Sequence, residues 1–93
     1  MNFNLFSYFV KILSRNIKEN ITRLNSHEIL EKVGQLEITQ WNYIDGRDEV
    51  KHIGPMAQDF YALFELGGDD KTISTIDPAG VALVAIQELN KTQ

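Results

Sequence analysis

Ser14 and Lys18 stand four residues apart in the run Ser14-Arg15-Asn16-Ile17-Lys18-Glu19-Asn20-Ile21. A serine hydroxyl attacks a carbonyl only once a base takes its proton, and a lysine whose ammonium is withdrawn from water can be that base. At helical spacing the two side chains would meet one turn apart. A capping serine beside a solvated lysine gives the same pattern. The other reactive types are more scattered. His27 and His52 are the only histidines, and no carboxylate follows His52 at the spacing of a metal-binding helix. Cysteine is absent, which removes thiolate metal sites, redox pairs and cysteine nucleophiles. No metal and no cofactor is expected. Asp45, Asp48 and Glu49 crowd one turn and read as a solvated hairpin tip rather than an acid–base pair. Gly67-Gly68-Asp69-Asp70 lacks any phosphate-cradling Gly-x-Gly or Walker pattern and reads as a helix stop. Trp41, Tyr43, Phe60, Tyr61 and Phe64 could stack on bases or sugars, but their place on periodic apolar faces assigns them to packing.

These residues need a scaffold, and 93 residues provide one small domain. A chain of this size buries only about 60% of its unfolded surface, so it is marginal alone and gains from partners. With 43% hydrophobic and 24% charged residues the composition is that of an ordinary globular domain. The net charge of −4 is unevenly spread: residues 1–26 sum to +3 and the remainder to −7. An acidic body argues against binding a phosphate backbone, so nucleic acid is not an expected partner. The apolar start of the chain, residues 1–13, has neither the basic opening nor the small-residue cleavage site of a secretory signal. It is also shorter than the roughly 20 apolar residues of a membrane span. It reads instead as a short amphipathic helix or strand over residues 5–13, with Phe6, Phe9, Val10 and Leu13 on one face. No membrane association is expected.

Turn and cap residues divide the rest. Ser26 is a good N-cap for a helix over residues 27–33, with Gly34 as its stop. Residues 35–43 alternate and carry β-branched and aromatic types, which predicts a strand. Asp45-Gly46 supplies a tight hairpin turn, and residues 50–54 form the returning strand. Pro55 opens a helix over residues 55–66 that Gly67-Gly68 ends. Residues 72–76 predict a short third strand near Ile73. Asp77 caps, and Pro78 begins, a last helix running to residue 90. In that helix Ala79, Ala82, Ile86 and Leu89 recur at the 3-4-3 spacing of a coiled-coil seam, while Val81, Val84 and Ala85 widen the apolar face. One seam can face its own domain and the other a neighbouring chain.

Six blocks in this order carry a resemblance: Lys18-Glu19-Asn20-Ile21, Leu30-Glu31-Lys32-Val33, Trp41-Asn42-Tyr43, residues 52–60, Thr75-Ile76-Asp77 and residues 80–89. Together they resemble the endosialidase-type intramolecular chaperone domain over residues 18–90, and Ile53-Gly54-Pro55-Met56-Ala57-Gln58 is the most specific piece. The resemblance implies a domain at the end of phage tail spikes and tail fibres that drives trimer assembly of the preceding shaft and then releases itself through a Ser-Lys dyad. Its partners would be two further copies of itself and the upstream fibre or spike polypeptide. Its location would be the virion or the bacterial cytoplasm.

In the family pattern the dyad serine lies five residues before the lysine. Lys18 matches the lysine, but Leu13 occupies the serine position, Ser14 that of an aspartate and Asn16 that of an arginine. Leucine has no group that attacks a carbonyl, so the resemblance implies a chaperone with self-cleavage lost. Ser14 could act only through a one-residue shift, and misplacement by about 1 Å already costs about 100-fold. In that alternative the chain is a serine endopeptidase cutting before Ser14. A third alternative is a monomeric prophage remnant. The expected architecture is α+β: a small β-hairpin sheet with three short helices, the last forming a trimeric seam. Residues 1–13 are an apolar extension and residues 14–93 the chaperone domain, its C-terminal coiled coil cut short.

Overall fold

A computed structural model describes residues 13–46 and 49–91. The proposed apolar element at residues 5–13 falls outside them except for Leu13, as do Arg47 and Asp48 of the hairpin tip. A single 3-10 turn, Arg15–Ile17, precedes helix α1 (Ser26–Gln35), strands β1 (Thr39–Trp41) and β2 (His52–Gly54), helix α2 (Ala57–Phe64) and helix α3 (Ile76–Lys91). The expected α+β class, with its hairpin and three helices, is the one observed. β1 and β2 pair antiparallel, Thr39 opposite Gly54 and Trp41 opposite His52.

Several boundaries differ from the sequence expectation, each for a local reason. Asn25, not Ser26, caps α1: its side-chain oxygen accepts from the Glu28 N–H at 3.1 Å, which leaves the Ser26 hydroxyl for a distant partner. Gly34 does not stop this helix. It stays within α1, and Leu36 ends it in an extended conformation while its N–H returns to the Val33 carbonyl. Asp45-Gly46 lies in a turn, in which the Gly46 N–H donates to the Tyr43 carbonyl at 3.0 Å, but it does not join the strands directly: the ladder ends at Trp41 opposite His52, and neither Asp45 nor Gly46 takes the positive φ of a two-residue hairpin turn. Paired strand covers three residues on each side.

α2 starts two residues after Pro55 and ends before the glycines, because Glu65 itself takes the left-handed conformation (φ 52°) and returns its N–H to the Tyr61 carbonyl. The third strand is not formed; residues 72–74 are irregular. The Asp69 carboxylate takes the N–H groups of Lys71 and Thr72 at 2.8 and 2.9 Å, so the expected strand opens on a turn held by a side chain, with the Thr72 donor already used. α3 begins at Ile76, ahead of the expected Asp77 cap. Ser74 accepts instead, through its hydroxyl from Ile76 and its carbonyl from Asp77, and Pro78 lies in a first turn that needs no N–H from it.

The core is small. α1 lies against α3, with Ile29, Leu30 and Val33 half-buried opposite Val81, Val84 and Ala85. Phe60 and Phe64 of α2 pack ring on ring at 4.9 Å. Phe60 at 2% and Ala85 at 6% are the buried hydrophobic residues among those described. Between the three helices an apolar groove of about 320 Å³ runs past Leu24, Ile29, Phe64, Leu66, Val81 and Val84.

Candidate functional site

Ser14 and Lys18 flank the 3-10 turn. Both have extended ψ angles, 137° and 151°, so the pair lies at the two ends of one tight turn rather than on adjacent turns of an α-helix. The Ser14 hydroxyl accepts the Asn16 N–H at 3.2 Å, and the Lys18 backbone N–H donates to Arg15. Among the described residues no hydrogen bond joins Ser14 Oγ to Lys18 Nζ. Leu13, Ser14 and Lys18 are all exposed. A lysine base needs its ammonium out of water and next to the hydroxyl it deprotonates. Within a single copy, its surroundings supply neither condition.

α3 has two faces with different occupants. Val81, Val84, Ala85 and Glu88 turn toward α1. Ala79, Ala82, Ile86 and Leu89, the residues at seam spacing, are exposed on the other side, with Ile86 at 59%. Leu83 joins them there. The 3-4-3 spacing does not include it, although its position four residues after Ala79 and three before Ile86 places it on the same stripe. In all, fifteen large apolar side chains among the described residues are more than a third exposed. They extend across the hairpin, where Ile53 is 76% exposed.

A polar cluster fixes the start of α1 to the end of α3. The Ser26 hydroxyl donates to Glu88 Oε1 at 2.6 Å, and Lys91 Nζ reaches the same hydroxyl at 3.3 Å. Lys91 and His27 also face Glu88, at 3.5 and 3.7 Å. The Ser26 hydrogen bond, aided by Lys91 and His27 and opposed by partial burial, holds the Glu88 carboxyl below the usual carboxylate range. Nothing in the local sequence announces this link, because its partners are 62 residues apart.

On the hairpin, Trp41, Tyr43 and His52 form a ring cluster with centroids 5.0 to 5.5 Å apart, and the Trp41 indole N–H donates to the Gly54 carbonyl at 3.3 Å. This cross-strand packing fixes the short ladder in register. Among the described residues no three His, Asp or Glu side chains gather closely enough to hold a metal ion, and no helix is long and apolar enough to cross a membrane.

No curated protein and no solved structure matches the chain. Residues 14–68, which run from the Ser14 turn through the hairpin and α2 to the Gly67-Gly68 loop, match the family described as chaperone of endosialidase. That span is more than half of the sequence and contains the Ile53-Gly54-Pro55-Met56-Ala57-Gln58 block, here the β2-to-α2 corner. On this match the chain belongs to the endosialidase chaperone family.

Proposed function

We propose that the protein is the trimerisation and assembly chaperone of a phage-type tail fibre or tail spike, with self-cleavage lost. Residues 14–93 are the chaperone domain and residues 1–13 an apolar extension. Its partners are two further copies of the same chain and the upstream fibre or spike polypeptide, in the virion or the bacterial cytoplasm. The observation that carries this reading is the mismatch between apolar surface and core. One copy buries Phe60 and Ala85 while Leu83 and Ile86 stand exposed beside Ala79 and Ala82 on the outer face of α3. Around a threefold axis the Ala79, Ala82, Ile86 and Leu89 seam, widened by Leu83, meets its copies and supplies the core that a single chain lacks.

Loss of cleavage is supported by Leu13, which stands five residues before Lys18 without a nucleophilic group, and by the exposed Lys18. The hydroxyl of the neighbouring Ser14 is engaged with Asn16. The test is to fuse the chain behind a β-rich fibre shaft that does not trimerise alone. The fusion should yield shaft trimers that resist detergent, and the double substitution Leu83→Glu, Ile86→Glu should return the shaft to aggregate. Equal trimer yield from both fusions would overturn the proposal.

A further inference from the structure

Leu13, Arg15, Lys18 and Ile21 line an open cleft of about 480 Å³ on the segment before α1. Two apolar and two cationic side chains, all exposed, suit a ligand that presents one apolar group between carboxylates. The chain contains such a segment. In the loop after α2, Glu65-Leu66-Gly67-Gly68-Asp69-Asp70, Leu66 edges the interhelical groove yet remains 40% exposed, with acidic residues on both sides.

This loop is held in shape before it meets anything. Glu65 and Gly67 take positive φ angles of 52° and 90°, and the Asp69 carboxylate is tied to the N–H groups of Lys71 and Thr72. A preformed knob loses little entropy on docking. Those N–H bonds, with that of the Thr72 hydroxyl, also hold the Asp69 carboxyl below its usual range.

We propose that the 65–70 loop of one copy seats in the 13–21 cleft of the next copy, Leu66 entering between Leu13 and Ile21 while Glu65 and Asp70 face Arg15 and Lys18. The inference rests on the trimer reading and adds a second contact to the α3 seam. Cleft and loop are different patches, so the contact is heterologous, the kind that closes into a ring about a threefold axis. It also gives the uneven charge a role: the basic start of one chain meets the acidic body of another.

The sequence has no cysteine, which allows a direct test on the full chain. Arg15→Cys combined with Asp70→Cys, both at exposed positions, should on oxidation give a three-chain covalent species on a denaturing gel that reductant dissolves. As a second measurement, Arg15→Glu with Lys18→Glu should weaken assembly by about 10-fold or more, and adding Glu65→Lys and Asp70→Lys should restore it. A native trimer that gives no interchain cross-link, or only a bridge within one chain, overturns the loop-in-cleft contact and leaves the trimer standing. A monomer at every concentration, with wild-type helix content, overturns both.

Discussion

Ser26 donates across 62 residues of sequence to Glu88, and the consequence should be read in acid. A carboxylate whose folded pKa is depressed contributes stability that is complete above its unfolded value, near 4.3, and is lost as pH falls through the folded value. Ser26→Ala removes the main cause of that depression. The variant should melt below wild type at pH 7, and the gap should narrow as pH drops below about 4. A gap that stays constant with pH would contradict the link. Phe60 tests a different kind of contact. Phe60→Ala empties the most buried apolar position and should cost about 3–5 kcal/mol in denaturant unfolding of the assembled protein. Phe60 is legible in the sequence from the periodic apolar face of its helix. Glu88 is not, because a polar residue on a mostly apolar helix shows its partner only when α1 and α3 are brought together.

Asn25 takes the capping role expected of Ser26, and the difference can be measured. Asn25→Ala removes the oxygen that accepts the Glu28 N–H and should cost about 1 kcal/mol, whereas Asn25→Asp should retain the cap. Circular dichroism through thermal unfolding checks both. The three helices and the hairpin are readable because apolar periodicity and turn residues mark them locally. The boundaries are less so. Gly34 can be passed by a helix when nothing requires a left-handed residue there, and Glu65 supplies that conformation before the glycines are reached. The expected strand near Ile73 fails at a scale the alternation does not register: the N–H at its start, that of Thr72, is claimed by Asp69 and the N–H at its end, that of Ile76, by Ser74. The spacing of Ser14 and Lys18 suggested adjacent helical turns, but four residues fit equally around a 3-10 turn, and only the backbone angles decide.

At the scale of the whole molecule, the described residues leave more large apolar side chains exposed than they bury. The hairpin, residues 13–24 and the outer face of α3 leave large side chains exposed, while the buried hydrophobic residues among those described are two. In the function proposed above, assembly about a threefold axis supplies further core. Leu83→Glu with Ile86→Glu should therefore yield a dissociated chain whose α1–α3 contact survives, seen as retained helix content at a lower assembly mass. The most direct measurement is a native and a denaturing mass spectrum of one sample of the full chain. The expected result is an intact 10.6 kDa chain under denaturing conditions and a species of three chains under native ones. An intact monomer at high concentration would contradict the assembly claim, and a fragment beginning at Ser14 would contradict the loss of cleavage.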